Sequence, residues 1–376
     1  MKVLFMANIP SPYRVDFFNE LGKHCDLTVT FEGKTATDRD EKWKTEAYNG
    51  FTPVFLKGIR TKSDQFLCLG IIQMIRRGFD HIIIGGYSTP TAMLAIEYMR
   101  LHQIPFFIEA DGGMIADEGR LKYRIKRHFI SAASGWFSSG RVTTEYLVHY
   151  GAIESRVYGY PFTSLRKEDI REEIPSEEEK NRLRRKLGMG KDRTIILSVG
   201  RFSYLGGYGK GFDVLLKAMR LCPETCELYI VGDEPTREFL EMKERLQLDH
   251  VVFVGFKNKN ELKEYYEAAD LFCLQTRGDV WGLVINEAMA CGLPIITTEK
   301  CVAGLELVEK TQCGYIVPVE DEMLLAERIR RVATDNRLRN DMSMKALQTI
   351  RDYTIENMAH AHMEALRDVG SEERKK

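Results

Sequence analysis

The sequence lacks an excess of charge of either sign. Across 376 residues it carries 54 lysines and arginines and 55 acidic residues, which gives a formal net charge of −1. Proteins that bind nucleic acid along an extended surface usually carry a clear basic excess. The balance of charge therefore argues against nucleic acid as a partner.

Long hydrophobic runs are also lacking. The segment Met1–Asn8 has one lysine and a short apolar run before Pro10, a pattern that predicts a first β-strand and not a signal peptide. No later segment approaches the roughly 18 apolar residues that a membrane-spanning helix requires. We therefore expect a cytoplasmic protein.

Cysteine and histidine are few, and they do not form clusters with metal-ligand spacing. The eight cysteines are scattered through apolar segments, and the closest pair, Cys222 and Cys226, has no histidine cluster beside it. His360 and His362 lie two residues apart in a predicted helix and therefore face different ways. This pattern predicts small core residues in a reducing compartment and no metal site.

What the sequence does contain is an alternation of short apolar runs and amphipathic segments. The first half opens with the strand Val3–Ala7, a helix that ends near Gly22 and the strand Leu27–Phe31, an order typical of a parallel sheet. The alternation restarts at the strand Thr194–Val199. These patterns predict an α/β protein with two Rossmann-like domains.

A change in composition predicts the boundary between the domains. Residues 166–191 are highly charged and follow the segment Tyr160–Phe162. We therefore expect an N-terminal domain at 1–165 and a C-terminal domain at 166–353. A last helix, at about 354–376, would pack back on the first domain.

The segment Asp279–Cys291 has the pattern of an anion site. An acidic residue and a glycine turn precede a helix, and that helix begins near Leu283, so that the free N–H groups of its first turn point outward. Glu287, one turn inside the helix, can accept hydrogen bonds from two neighbouring hydroxyl groups. A phosphate site beside a diol site predicts a sugar nucleotide as the ligand.

Two cations flank a second glycine-rich turn. Arg201 follows a buried strand, and Lys210 lies in the glycine-rich segment Gly206–Gly211. The segment is not a P-loop, because Lys210 is followed by glycine and not by serine or threonine. Two cations in this place would neutralise a departing diphosphate. The alternative is a pair of surface charges beside a flexible loop.

Five short motifs follow one another through the second half: Val199–Arg201, Lys210–Asp213, Val231–Asp233, Val254–Phe256 and Gly282–Pro294. Taken together and in this order, they resemble the motifs of the retaining GT-B glycosyltransferases of family 4. The first half resembles the family only in layout and in its Pro12-Tyr13-Arg14 opening. The resemblance implies a GT-B fold, in which two Rossmann-like domains face each other across a cleft.

The resemblance also implies roles for single residues. The family's Glu-x7-Glu motif corresponds to Asp279 and Glu287, so that Glu287 would hold the ribose diol and Asp279 the transferred sugar. Asp279 is one methylene shorter than glutamate, which would narrow the range of sugars accepted. Arg201 and Lys210 complete the predicted catalytic set. The predicted donor-binding residues are Gly200, Gly255, Phe256, Gly282, Leu283 and Val284.

The implied reaction moves a sugar from a UDP- or GDP-linked donor to a saccharide or lipid-linked saccharide, with retention of configuration, in the synthesis of surface polysaccharide or a glycoconjugate. Cationic side chains and a helix dipole would replace a metal ion, so we expect no cofactor. Asp38 and Asp40 spell the metal-binding Asp-x-Asp of the other glycosyltransferase fold, but no strand precedes them. We interpret them as part of a solvated loop.

The predicted acceptor side lies in the first half. Tyr13 and Arg14 follow the first strand, and Glu109 and Asp111 lie in a loop where many family members carry a histidine that contacts the donor sugar. Asp111 would bind hydroxyl groups of the donor or acceptor, or alternatively cap the turn that follows it.

The segment Arg120–Ile130 is predicted to form an amphipathic helix with a basic face. Leu121, Ile125 and Phe129 share its apolar side. We favour packing of this side on the sheet of the first domain. The alternative is a peripheral contact of the helix with anionic lipid at the inner membrane surface.

Two other functions stay open at this point. A sugar-nucleotide epimerase of similar build would convert the donor without an acceptor. A non-catalytic sugar-nucleotide sensor or scaffold is suggested by Asp279 in place of glutamate and by the missing histidine.

Overall fold

The computed structural model describes residues 1–34, 47–61 and 65–373, and the side chains as far as residue 369. The chain divides into two compact units. The first unit comprises Met1–Ser164 and Tyr353–Lys376, and the second comprises Leu165–Asp352. Each unit has its own parallel sheet, so the predicted α/β fold with two Rossmann-like domains is confirmed.

The first unit is built on a seven-stranded parallel sheet, to which a short antiparallel pair is added. Its strands are β1 (Lys2–Ala7), β2 (Asp26–Phe31), β3 (Thr52–Phe55), β4 (Ile59–Arg60), β5 (Phe66–Leu67), β6 (His81–Gly85), β7 (Phe107–Ala110), β8 (Gly135–Ser138) and β9 (Val157–Gly159). The sheet order is β3-β2-β1-β6-β7-β8-β9, and β4 pairs with β5. Its central strands are apolar runs because helices cover both faces of the sheet.

Among the described residues of this unit, five helices connect these strands. They are α1 (Pro12–Leu21), α2 (Gly70–Ile75), α3 (Pro90–Leu101), α4 (Arg120–Ile130) and α5 (Arg141–His149). The start of α3 shows how the sequence sets a helix end: Thr89 Oγ1 accepts a hydrogen bond of 3.1 Å from the N–H of Ala92, and Pro90 occupies the first turn.

The second unit repeats the design with a six-stranded parallel sheet. Its strands are β10 (Thr194–Val199), β11 (Cys226–Val231), β12 (Val251–Gly255), β13 (Leu271–Leu274), β14 (Ile295–Thr298) and β15 (Gly314–Val317). Its helices are α6 (Glu177–Leu187), α7 (Phe212–Met219), α8 (Arg237–Arg245), α9 (Lys259–Ala268), α10 (Leu283–Ala290), α11 (Glu309–Thr311), α12 (Glu322–Thr334) and α13 (Asn336–Ile350). The sheet order is β12-β11-β10-β13-β14-β15.

Both sheets contain a point at which the strand order reverses. In the first unit it lies between β1 and β6, and in the second between β10 and β13. The loops that leave such a pair run in opposite directions and open a crevice at the carboxyl ends of the strands. These two places are therefore where ligand sites are expected.

The last helix, α14 (Ile355–Glu373), belongs to the first unit and packs against α1. It brings His362 into the core, where the imidazole is fully buried and stacks on Phe137 with ring centroids 4.3 Å apart. Its Nε2 lies 3.4 Å from Glu109 Oε1. A residue near the end of the sequence thus completes the core around the first sheet.

The predicted packing of α4 is wrong for two of its three apolar residues. Leu121 is 74% exposed and Ile125 is 43% exposed, whereas Phe129 packs against the core beside the buried Ile130. The helix contacts the core through its last turn, so most of its apolar side stays in solvent. Across the described ranges, α4 included, no helix has both the length and the apolar character of a membrane span.

Candidate functional site

Two predicted catalytic residues, Lys210 and Asp279, are in direct contact in the second unit. Lys210 Nζ donates a hydrogen bond of 2.6 Å to Asp279 Oδ2, and the two side chains are 18% and 20% exposed. The backbone N–H of Asp279 donates to the carbonyl of Lys300 at 2.9 Å. The ion pair is therefore held at a fixed place, where a ligand can reach it from solvent.

Glycines determine the position of the loop Tyr204–Lys210. The residues Leu205–Gly207 have φ angles between 52° and 90°, in the left-handed region that favours glycine. Gly211 follows with φ 67°, and a Cβ atom there would lie 1.7 Å from the carbonyl oxygen of Gln275. Only glycine at position 211 allows this loop to approach the end of β13. This close approach determines the position of Lys210, the residue before it.

Arg277, which the sequence analysis missed, anchors the same loop. Its N–H donates to the carbonyl of Gly209 at 3.0 Å, and its guanidinium donates to that of Tyr208 at 2.6 Å. The guanidinium also forms bidentate pairs with Asp213, at 2.7 and 2.9 Å, and with Glu320, at 2.6 and 2.8 Å. The hydrogen bonds to Asp213 and Glu320 raise the pKa of Arg277, which keeps it charged.

Gly200 and Arg201 follow β10 at the same edge of the sheet. A Cβ atom at Gly200 would lie 3.1 Å from Lys210 Cγ, so the lysine side chain passes over this glycine. Arg201 is exposed. The two residues after it donate their N–H groups to Asp233, at 3.0 Å for Ser203. Asp233 thereby fixes the turn that carries Arg201.

The predicted donor residues Gly255 and Phe256 lie at the end of β12, which is separated from β10 by β11. Gly255 has φ 76°, and its carbonyl accepts a hydrogen bond of 3.3 Å from Gly232. A Cβ atom on Gly232 would in turn lie 1.8 Å from the carbonyl oxygen of Gly200. Backbone contacts thus connect Gly200, Gly232 and Gly255 along one edge of the sheet. Phe256 is partly exposed beside this edge.

Helix α10 begins next to the ion pair. Gly282 has φ 101°, and a Cβ atom there would lie 2.7 Å from Cys301 Sγ and 3.8 Å from Asp279 Cγ. Leu283 and Val284 form the first turn of the helix. First-turn N–H groups have no acceptor within their own helix, so this end offers donors to an anion.

Two aromatic side chains that the sequence analysis did not single out fix the polar groups of α10. The indole N–H of Trp281 donates to Asn286 Oδ1 at 2.8 Å, and the hydroxyl group of Tyr266 donates to Glu287 Oε2 at 3.0 Å. Burial, followed by the charge of Glu287, raises the pKa of Tyr266 well above its ordinary value. Tyr266 is thus a permanent donor that orients Glu287.

Of the four residues predicted on the acceptor side, Arg14, Glu109 and Asp111 form one cluster in the first unit. Arg14 Nη1 donates to both carboxylate oxygens of Glu109, at 2.9 and 3.0 Å, and Nη2 donates to Asp111. The Tyr160 hydroxyl group donates to Asp111 at 3.1 Å. Tyr13 lies beside them, with its ring centroid 5.8 Å from Arg14 Cζ.

The two carboxyl groups of this cluster differ in acidity. Burial raises the pKa of Asp111. Burial alone would also raise the pKa of Glu109, but the charge of Arg14 and the contacts with His362 outweigh it and lower that pKa to about 2. Glu109 is therefore a permanent anion beside Arg14, and Asp111 is the group that takes up a proton more readily.

A pocket of about 180 Å³ opens at this cluster, where β1 and β6 are neighbours. Tyr13, Arg14 and Asp111 line it, whereas Glu109 lies behind Arg14 and is 1% exposed. Sequence analysis did not identify the other polar lining residues, which include Asn8, Ser11, Glu32 and Thr89.

The Asp-x-Asp sequence at Asp38 and Asp40 lies outside the described residues. Within the ranges that are described, no group of three or more His, Cys, Asp or Glu side chains is placed to hold a metal ion.

Comparison with known proteins identifies a family whose match lies within the second unit. Residues 179–349 match the family described as glycosyl transferases group 1. An uncharacterised glycosyltransferase, MJ1607 of Methanocaldococcus jannaschii, is 33% identical over 48% of this chain and 47% of its own length. The lipopolysaccharide glucosyltransferase WaaG of Escherichia coli is 26% identical over 60% of this chain and 63% of its own length. The chain thus spans about half to two thirds of these curated relatives.

Solved structures match the whole chain. The crystal structure of Anabaena HepE in complex with UDP and glucose has a TM-score of 0.75 and 18% sequence identity, over 98% of this chain and 100% of that one. The likeness shows that the chain has the GT-B fold.

Proposed function

We propose that this chain, whose residues 179–349 match the glycosyl transferases group 1, transfers a sugar from a nucleoside diphosphate sugar to a hydroxyl group of a saccharide or lipid-linked saccharide. The observation that carries the proposal is the contact of Lys210 with Asp279 beside the N-terminus of α10. A cation, an acid and free N–H groups meet there, and together they suit a phosphate joined to a sugar.

In this proposal the diphosphate lies against Lys210, Arg201 and the first-turn N–H groups of Leu283 and Val284. Negative charge develops on the diphosphate as its bond to the sugar breaks, and donors already in place stabilise that charge without reorganising. The anchored backbone around Lys210 supports this role, since Arg277 holds the carbonyls that precede it.

The nucleoside and the sugar would be held by the two acids of the site. Glu287 would accept hydrogen bonds from the ribose hydroxyl groups, and the hydrogen bond from Tyr266 supports this by fixing the carboxylate. Asp279 would contact the transferred sugar. HepE was solved with UDP and glucose, which makes UDP-glucose the first donor to test, followed by GDP-linked sugars.

The proposed step needs no side-chain base. The bond from C1 of the sugar to the diphosphate oxygen breaks, the acceptor oxygen bonds to C1 on the same face, and the acceptor proton passes to the departing phosphate oxygen. Configuration at C1 is thereby retained. Lys210 and Arg201 supply the positive charge that a divalent metal ion supplies in other transferases, so we propose that no metal is required.

We also propose that α4 rests on the anionic surface of the membrane that carries the acceptor. Leu121 and Ile125 are exposed on this helix. Basic residues surround them, and the exposed ones are Arg120, Lys122, Arg124 and Arg127. Apolar side chains that enter the headgroup layer, together with lysine and arginine beside it, are the features of interfacial helices.

The test of the function combines binding with turnover. UDP- and GDP-linked sugars are screened by thermal shift, because a ligand that binds the folded state raises the melting temperature. The donor that binds is then incubated with saccharide acceptors and EDTA, and transfer is expected to proceed. Conversion of the donor without an acceptor would instead indicate an epimerase. If a donor binds but no sugar is transferred, and if the Glu287→Ala variant leaves cellular glycans unchanged, the protein would instead be a sensor.

A further inference from the structure

The pocket of the first unit has the size of a single small ring. Its volume of about 180 Å³ is below the roughly 300–1,000 Å³ of pockets that hold drug-sized ligands. It lies where the loops after β1 and β6 separate, and part of its wall is the backbone of Gly85 and Gly86. A monosaccharide ring suits this space better than a nucleotide does.

The positive charge of the pocket is already neutralised. Arg14 is 7% exposed and forms hydrogen bonds of 2.9 and 3.0 Å with Glu109 and a further one with Asp111. It is the one lysine or arginine among the described residues that line the pocket. An incoming phosphate or carboxylate would have to compete with two carboxylates for this guanidinium.

A second acid, Glu32, lines the pocket directly after β2. Glu32 is 7% exposed, accepts a hydrogen bond of 2.5 Å from Thr89 Oγ1 and accepts one of 3.4 Å from the N–H of Phe66. Its carboxylate is thus held in one orientation at the wall. Glu32 and Asp111 can each accept hydrogen bonds from hydroxyl groups, and both repel an anion.

We infer that this pocket binds one uncharged sugar ring of the acceptor and discriminates against rings that carry a carboxylate or phosphate. The assignment of this ring to the acceptor rests on the proposed function. The chemistry of the pocket is independent of it, because the lining carboxylates of Glu32 and Asp111, beside an arginine paired with Glu109 and Asp111, favour hydroxyl donors over anions whatever the ring belongs to.

Saturation-transfer NMR on the full chain tests the discrimination with simple probes. Methyl glucoside and methyl galactoside are compared with methyl glucuronide and glucose 6-phosphate. The neutral glycosides are expected to bind at least about tenfold more tightly than the anionic ones. Equal binding of both classes, or no signal from any neutral glycoside, would overturn the inference.

A charge introduced at the pocket provides a second test that does not disturb the core. Ser88 lines the pocket on an exposed loop. Ser88→Lys is expected to reduce the preference for neutral glycosides at least about threefold, whereas Ser131→Lys, at an exposed position outside the lining, should leave it unchanged. An unchanged preference in Ser88→Lys would show that the probes bind elsewhere.

Competition separates an acceptor ring from the sugar of the donor. If the pocket holds the acceptor, bound methyl glycoside should persist when an intact nucleotide sugar saturates the protein. Displacement by the nucleotide sugar, but not by the free nucleotide, would assign the pocket to the donor and refute the inference. Failure of every nucleotide sugar to bind would refute the proposed function alone, since the glycoside measurements still decide the chemistry of the pocket.

Discussion

Tyr266 on α9 donates a hydrogen bond of 3.0 Å to Glu287 on α10 and is itself 3% exposed. The acid proposed to hold the ribose is thus oriented by a phenol from a neighbouring helix. Tyr266→Phe should raise the KM for the donor several-fold with a smaller change in kcat, and should cost about 0.5–1.5 kcal/mol of stability. Tyr265→Phe, the adjacent buried tyrosine of α9, is the control. An equal rise in KM in both variants would contradict a role through Glu287.

Lys210 is expected to act mainly in the transition state. Lys210→Met removes the ammonium group that would meet the departing diphosphate, and kcat should fall by about 10²–10³-fold with a smaller effect on donor binding. Steady-state kinetics and donor titration measure the two effects. Lys217→Met, on the exposed face of α7, should behave as wild type. A loss of donor affinity with kcat unchanged would place Lys210 in ground-state binding only.

Arg277 is expected to control the rigidity of the loop Tyr204–Lys210. Arg277→Lys keeps the charge but cannot form both bidentate pairs, so it should lose about 1–3 kcal/mol of stability and part of kcat. Hydrogen exchange measured by mass spectrometry should accelerate within this loop. Arg237→Lys, whose side chain is 91% exposed, should leave exchange there unchanged. Unaltered exchange in Arg277→Lys would contradict the anchoring role.

The low pKa of Glu109 predicts how the stability of the first unit depends on pH. Its folded-state pKa of about 2 lies below the value of about 4.3 expected in the unfolded chain. The charged carboxylate therefore stabilises the folded state above about pH 4.3, and this stabilisation is lost as the pH falls toward 2. The difference in unfolding free energy between wild type and Glu109→Gln should shrink over that range.

Urea titrations between pH 3 and pH 7 measure this difference. Glu145→Gln is the matched control, because the Glu145 side chain is 55% exposed on α5. Its effect on stability should be small at every pH. A difference for Glu109→Gln that stays constant across the range would show that the carboxylate is not charged in the folded protein.

The exposed apolar side of α4 predicts binding to anionic vesicles. Leu121→Asp should reduce cosedimentation with such vesicles several-fold, because it places a negative charge at the centre of the contact. Leu101→Asp alters a leucine of similar exposure, 70% against 74%, on α3 of the same unit and should retain binding. Wild-type binding should weaken with salt. No cosedimentation at low salt would remove the proposed membrane contact.

Buried strands and glycine motifs were the parts of the structure that the sequence predicted well. Strands such as β1 and β10 are continuous apolar runs, and Lys210 and Asp279 were predicted as catalytic residues before their contact was known. The strands β3 and β9 and the helices α2 and α5 were not predicted. The strands lie at the edges of the sheet and are only partly buried, which weakens the apolar pattern.

Residues that act through distant contacts could not be predicted. Arg277 and Tyr266 belong to no motif, and their importance comes from carbonyls and carboxylates that only the folded chain brings near. Asp111 had two interpretations because its partners Arg14 and Tyr160 lie 97 and 49 residues away. The amphipathic pattern of α4 identified its apolar side but not which surface, if any, covers that side.

A Cβ atom on Gly211 would lie 1.7 Å from the carbonyl oxygen of Gln275. This close approach also determines where the loop can tolerate a change in length. Residues 209–211 pack directly against the segment that follows β13. Leu205, earlier in the same loop, is 69% exposed. Insertions or reporter tags at residues 205–206 should therefore be absorbed locally, without displacing the lysine downstream. We therefore expect the length of this loop to differ among relatives that share the same chemistry.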